Sequence, residues 1–278
     1  MNPGRLLCAL CLATLVAGCS VRPPAPPGEI GDGAPARRLN PAQIADAVPR
    51  AEPRSKRGNP ASYVVMGQRY HTLASSRDYV ERGIASWYGT KFHGRTTSSG
   101  EPYDMYAMTA AHKSLPLPTY VQVTNLRNGR SAVVKVNDRG PFHDNRLIDL
   151  SYAAATKLGI LAQGTGLVEV RAIDPGAPLR QASLPAGDTT ITTRPTPSAV
   201  EPGLFIQVGA FSNRINADRL QQKLARSLGE RIRIQQADHQ GQAIFRVQIG
   251  PLASVDQVDN LTLDLPRLGI LETQVVID

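Results

Sequence analysis

Two dense regions of regular hydrophobic patterning stand between stretches that have almost none. In the first region, residues 83–173, the period is mostly two. Residues 83–89 set Ile84, Ser86 and Tyr88 against Ala85 and Trp87. Residues 119–125 alternate with β-branched side chains, 126–130 supply an Asn-Gly turn, and 131–136 resume the alternation, which predicts a β-hairpin. Residues 147–159 carry apolar positions at roughly helical spacing, with Ser151 as the N-cap, and 166–173 predict a last strand. Several short strands and one or two short helices predict a small all-β barrel.

The second region, 203–278, mixes both periods. Residues 204–211 predict a strand, and 213–228 an amphipathic helix with Ala217, Leu220, Leu224, Ala225 and Leu228 on one stripe. Residues 231–237 and 243–249 predict two strands around a polar His-Gln-Gly turn, 254–268 a second helix, and 272–277 a final strand. The order βαββαβ describes an α+β layer pair with both helices on one face of the sheet. Ile206, Val208, Val247 and Ile249 then meet the helices, and Gln207, Arg246 and Gln248 point to the open face.

The remaining segments read as connections. Residues 19–61 are rich in Pro, Ala, Gly and Arg and predict a disordered tether. Residues 62–82 predict a short arm. Residues 174–202, which hold Pro175, Pro178, Pro185, Pro195, Pro197 and Pro202, predict a second disordered linker. The expected molecule is therefore multidomain.

The N-terminus changes where this architecture is placed. Residues 1–18 have the form of a signal peptide: Arg5, an apolar run over 6–16, and a small-residue end. That run is too short to span a bilayer, which needs about twenty apolar residues. Residues 15–19 resemble a bacterial lipobox, which implies cleavage before Cys19 and its lipidation; an ordinary secretory peptide with a stray Cys is the other reading. Of the three cysteines, Cys8 and Cys11 fall in the part removed, so the mature chain has no intramolecular disulfide. Several acyl chains give stable anchoring. Ser20 after the Cys, by resemblance to other lipoproteins, favours the outer membrane, facing the periplasm.

The formal charge is +8, unevenly spread. Residues 80–173 hold eleven Lys and Arg against seven Asp and Glu, whereas 203–278 hold eight of each. A basic first domain suits an anionic polymer, which in this compartment means cell wall or lipid head groups and not nucleic acid. A merely soluble basic surface fits equally well.

Candidate chemistry centres on residues 133–142, Val-Val-Lys-Val-Asn-Asp-Arg-Gly-Pro-Phe. A β-branched run carries Asp138 to a strand end that Gly140 and Pro141 terminate. Such a carboxylate presents an acid/base group on a rigid scaffold. The same geometry also serves an Asx-turn that only bonds backbone N–H groups.

Further blocks accompany it: residues 83–89 (Gly-Ile-Ala-Ser-Trp-Tyr-Gly), 92–101 (Phe-His-Gly-Arg-Thr-Thr-Ser-Ser-Gly-Glu), 110–116 (Ala-Ala-His-Lys-Ser-Leu-Pro) and 146–151 (Arg-Leu-Ile-Asp-Leu-Ser). In this order the blocks resemble the rare lipoprotein A (RlpA) family of septal-ring lytic transglycosylases. The resemblance implies a double-psi β-barrel, with Asp138 as catalytic acid/base beside Glu101, Asp104 and His112. It also implies sugar contacts from Trp87, Tyr88 and Arg139. A carboxyl with a near-neutral pKa protonates the glycosidic oxygen. The sugar's own 6-hydroxyl then closes a 1,6-anhydro ring, so one carboxyl can suffice while its neighbours raise its pKa. His112 would polarise Asp138 or hold substrate.

Blander readings stay beside these. Glu101 and Asp104 also fit turn caps, His112 a structural hydrogen bonder, and Trp87 and Tyr88 core aromatics. His93, His112 and His143 lack metal-ligand spacing, so no metal and no cofactor is expected. Arg139 follows Asp138 where aspartic proteases carry a hydroxyl residue, and no second copy exists, which argues against a shared-proton dyad.

Residues 205–212 (Phe-Ile-Gln-Val-Gly-Ala-Phe-Ser), Asn216-Ala217 and 245–251 (Phe-Arg-Val-Gln-Ile-Gly-Pro) resemble the SPOR (sporulation-related repeat) domain. That resemblance implies binding of septal glycan strands stripped of stem peptides, through Gln207, Phe211, Arg246 and Gln248. Stripping exposes the lactyl carboxylate of the muramic sugar, which Gln and Arg side chains can bond. The fold also resembles RNA-recognition modules, but their stacking aromatics are missing, so no nucleic acid is expected. The joint expectation is an outer-membrane lytic transglycosylase of denuded peptidoglycan, enriched at the division septum among divisome proteins. A non-catalytic septal glycan binder and a hydrolase of another polysaccharide remain the alternatives.

Overall fold

The computed structural model describes residues 32–143, 145–175, 202–228, 231–239 and 241–278. The signal peptide, Cys19 and nearly all of the predicted linker at 174–202 lie outside them.

A hairpin of β1 (Ser62–Val65) and β2 (Gln68–His71) comes first. The barrel follows: β3 (Val80–Tyr88), β4 (Thr109–His112), β5 (Thr119–Asn125), β6 (Ser131–Asp138), β7 (Arg146–Ser151), helix α1 (Tyr152–Leu158) and β8 (Gly166–Ile173). The six strands close in the order β3-β7-β4-β6-β5-β8. The β3–β7 and β4–β6 pairs are parallel and the others antiparallel.

Period-two patterning fills the barrel interior. Val121 and Val123, Val134 and Val136, Ile148 and Leu150, and Val168 and Val170 are all fully buried in one cluster with Ala85 and Ala110. Each such Val, Leu or Ile side chain contributes about 1.5–3 kcal/mol relative to exposure. Helix α1 adds Ala153, Ala154, Ala155 and Leu158 to that cluster, capped by the Ser151 hydroxyl accepting from the Ala154 N–H. The run over 147–159 therefore splits at Ser151. Its first half is strand, because parallel pairing with β3 places Ile148 and Leu150 in the barrel.

The tether expectation fails for residues 32–61. They lie along the barrel as a strap, because their polar groups find fixed partners there. The Asp46 carboxylate accepts from the Val133 N–H at 2.9 Å and pairs with Lys157 at 2.8 Å. Glu52 pairs with Lys135 at 3.0 Å, and the Ser55 N–H donates to the Leu117 carbonyl. Leu39, Ile44 and Ala47 pack on the barrel core. The low hydrophobicity that suggested disorder reflects a segment held mainly by hydrogen bonds.

The second domain comprises β9 (Leu204–Phe211), α2 (Arg214–Ser227), β10 (Ile232–His239), β11 (Gln242–Leu252), α3 (Val255–Asp264) and β12 (Gln274–Ile277). Its antiparallel sheet has the order β10-β11-β9-β12. Ile206, Val208, Val247 and Ile249 are buried with Ala217 and Leu224 of α2 and with Val255 and Val258 of α3. Ala225, predicted on the α2 stripe, is exposed. Arg146 of the barrel forms a two-pronged ion pair with Asp259 of α3, at 2.7 and 3.2 Å, and Asn145 donates to Asp259 and Thr262.

Candidate active site

Four neighbouring barrel strands present one row of side chains to the surface. Ser86 on β3 is in register with Asp149 on β7, Asp149 with Ala111 on β4, and Ala111 with Asp138 on β6. Residues in register across a sheet point to the same face. Two interstrand steps separate the carboxylates, or about 10 Å between their Cα atoms. The methyl group of Ala111 lies between them and leaves the space above open. All four residues line one cleft of about 400 Å³, walled by Trp87, Tyr88, Phe92 and Phe142.

The two carboxyl groups sit in different surroundings. Asp138 ends β6 and turns through Gly140, whose φ of +135° lies in the region glycine favours. Its Oδ1 accepts from the Ser98 N–H at 2.8 Å, the Ser98 hydroxyl at 2.6 Å and the Arg139 N–H at 2.7 Å. Asp149 is half-buried at the floor of the cleft, with the Ser86 hydroxyl donating a short hydrogen bond to it. Burial raises its pKa above the ordinary carboxyl value, and the Ser86 bond and the charges of Arg146, Lys113 and His143 only partly oppose that. A raised pKa favours the protonated form of Asp149, the form that can donate a proton.

The other acidic residues lie elsewhere. Glu101 leaves the cleft and accepts from Lys135 at 2.8 Å and from Asn137 at 2.8 Å. Burial alone would raise its pKa; the bonds from Lys135 and Asn137 outweigh it and leave it lowered, as in an ion pair. Asp104 caps its own turn by accepting from the Tyr106 N–H at 2.9 Å. His112 is 1% exposed, accepts at Nδ1 from the Ser114 and Leu115 N–H groups, and meets the Tyr79 hydroxyl at Nε2. Burial, aided by Arg139 and Lys113, lowers its pKa to about 3, so it stays neutral. It points away from the cleft that its neighbour Ala111 lines.

Trp87 and Tyr88 line the cleft while packing inward. Tyr88 stacks on Tyr103 with ring centroids 4.1 Å apart, and Trp87 meets Tyr152 at 6.2 Å. The Arg139 guanidinium donates to the carbonyls of Gly58, His112 and Leu115 and to Asn59 Oδ1, so its donors are taken up within the fold.

Asp149 is the residue that the sequence reading left without a role. An acidic residue between Ile148 and Leu150, two residues before the Ser151 helix cap, is its signal.

The second domain carries a polar row on the sheet face away from its helices. Gln274, Gln207, Gln248 and Arg233 are in register across all four strands. Arg233 lies 3.5 Å from the Phe205 ring centroid and donates to Gln248 Oε1 at 2.8 Å, which covers Gln248 completely. Gln248 Nε2 and Gln207 Oε1 are buried without a partner among the described residues. Arg246 shares this face. Phe211 does not: Val208 is an extra residue against β11, and the resulting bulge turns Phe211 toward Leu220 and the helices.

Comparison with known proteins agrees with this two-part layout. A family profile described as lytic transglycolase matches residues 80–171, and a SPOR domain profile matches 201–276. The endolytic peptidoglycan transglycosylase RlpA of Pseudomonas aeruginosa is 40% identical, over 95% of this chain and 94% of that protein. The protein of that name from Vibrio cholerae is 39% identical over the same shares. Among solved structures, the SPOR domain of Pseudomonas aeruginosa RlpA is 30% identical and aligns with 27% of this chain and 97% of that one, at a TM-score of 0.26. A closed six-stranded barrel with both matching profiles, and relatives of this identity along nearly the whole chain, lead to one conclusion: the chain belongs to the RlpA family of lytic transglycosylases.

Proposed function

We propose that the chain is a lipid-anchored outer-membrane enzyme that cuts peptide-free peptidoglycan strands at the septum and leaves 1,6-anhydro-muramic ends. The observation that carries this reading is the Ser86, Asp149, Ala111, Asp138 row in an open cleft. In this mechanism Asp149 gives its proton to the leaving N-acetylglucosamine oxygen as the muramic C1–O bond breaks. The muramic 6-hydroxyl oxygen forms the new bond to C1, and its proton passes to Asp138. Exchange through solvent returns that proton to Asp149. The Ser86 hydroxyl steadies Asp149 in both states, while Trp87 and Tyr88 flank the sugar. An electrostatic role for Asp138 beside the oxocarbenium-like centre follows from its place across Ala111.

The relatives named endolytic support cutting within strands, since a cleft open at the surface admits a continuing polymer. Gln207, Arg233 and Arg246 would bond amide and carboxylate groups of bare glycan, with the covered Gln248 backing Arg233 and not meeting the strand, and the loss of stem peptides is what uncovers the lactyl carboxylate. The second domain then concentrates the barrel on its substrate.

The test is incubation of the full chain with amidase-treated and untreated sacculi, with products separated and weighed by mass spectrometry. Anhydro-ended fragments from treated sacculi alone are expected. Reducing-end products would replace the lyase with a hydrolase. Binding without products would make the chain a glycan binder.

A further inference from the structure

The strap that precedes the barrel reaches the Asp138 carboxylate through two residues. Asn59 is fixed to the barrel at both ends of its amide. Its Oδ1 accepts from the Leu117 N–H at 2.8 Å and its Nδ2 donates to the Leu117 carbonyl at 2.7 Å. The same Oδ1 accepts from Arg139 Nη2 at 3.2 Å, and the Gly58 carbonyl accepts from Arg139 Nε at 2.8 Å. Gly58 also abuts the turn that carries Ser98. A Cβ added there would lie 2.7 Å from the Ser98 carbonyl oxygen, and its φ is +78°. The strap thus grips Arg139 and presses on Ser98.

Among the described residues those two supply every hydrogen bond to Asp138 Oδ1, and the Arg139 N–H also donates to the Ser98 hydroxyl at 3.2 Å. We propose that Gly58 and Asn59 are positioning residues of the active site: the strap sets Arg139 and Ser98, and these aim the Asp138 carboxylate across Ala111 at Asp149. The cleavage unit then begins in the strap, ahead of the first barrel strand at Val80. This inference deepens the proposed lyase reading and rests on it for the catalytic consequence, but not for the geometry.

Three full-chain proteins test it: the parent, Asn59→Ala and Asp46→Ala. Asp46 anchors the same strap at Val133 and Lys157, away from Arg139. A fourth, Asn59→Asp, keeps the acceptor for Arg139 and Leu117. A small misplacement of a reacting group costs up to about 100-fold in rate. Asn59→Ala is expected to lower kcat on denuded strands by about 10- to 100-fold with KM within about threefold, and Asn59→Asp to recover much of the loss. Asp46→Ala is expected to keep the parent's kcat at temperatures where it stays folded.

The second readout needs no turnover. The Ser98 and Arg139 amide protons report the carboxylate that they bond, and their NMR titration with pH should change in Asn59→Ala and not in Asp46→Ala. Unchanged amide titration in Asn59→Ala, or an equal change in both variants, overturns the positioning role. Parent protein that makes no anhydro product, together with the expected amide changes, overturns the lyase reading and leaves the positioning role standing.

Discussion

The barrel cleft and the sheet face of the second domain are both rows of polar side chains in register across neighbouring strands, yet they are built for different tasks. In the cleft, small residues open the space: Ser86 and Ala111 flank Asp149, and only Asp138 and Asp149 are ionisable along the row. The sheet row is amides and one guanidinium, Gln274, Gln207, Gln248 and Arg233, partly covered by its own members. A buried carboxyl changes its proton affinity with its surroundings, whereas an amide does not titrate. The first row holds groups that exchange protons, and the second holds groups suited to hydrogen bonding alone.

The sharpest way to break this comparison is to neutralise the carboxylates. Asp149→Asn and Asp138→Asn should each lower anhydro-product formation by about 100- to 10,000-fold, and the double variant should do little more, as expected of groups that act together. Sedimentation with sacculi should remain at the parent level. Residual cleavage within tenfold in Asp149→Asn would return the chemistry to Asp138 alone.

Next comes the recognition row. Arg246→Ala should weaken retention on denuded sacculi by about tenfold, the scale of one lost charge-assisted hydrogen bond. Cleavage of short soluble strands should be unchanged. A parallel fall in that cleavage would merge the two sites into one.

The third prediction concerns stability. Burial lowers the His112 pKa from 6.5 to about 3. Between those values the unfolded chain binds more protons than the folded one, so stability should fall as pH drops through that window. For Asp149 the sign reverses. Its raised folded pKa means that stability falls as pH rises from 3.8 through the folded value. Asp149→Asn should therefore match or exceed the parent Tm at neutral pH, and a His112 variant with a neutral polar side chain should lose part of the acid sensitivity. Melting curves across pH measure both.

The smallest effect is expected at Glu101. Its side chain is 45% exposed, so its pair with Lys135 is screened by solvent, and Glu101→Gln should cost less than about 1 kcal/mol in denaturant unfolding. A loss of kcat as large as that of Asp149→Asn would bring Glu101 into the reaction.

The sequence by itself determined most of the architecture. Alternation in 119–125 and 131–136 placed the hairpin, and Ser151 marked the cap of α1 because short-range hydrogen bonding fixes those choices. The ordered blocks pointed to the family, and the strand end at Asp138 to half of the proposed site. Tertiary structure decided the rest. Asp149 became a partner of Asp138 only when closure of the barrel put β4 between β6 and β7. Glu101, Asp104 and His112 found local donors and acceptors that spacing cannot reveal. A single bulge at Val208 turned Phe211 to the helix side. The strap at 32–61 had no periodicity to read, because its order comes from hydrogen bonds to residues up to 113 positions away. Periodic burial is written along the chain, but which polar groups meet depends on which strands become neighbours.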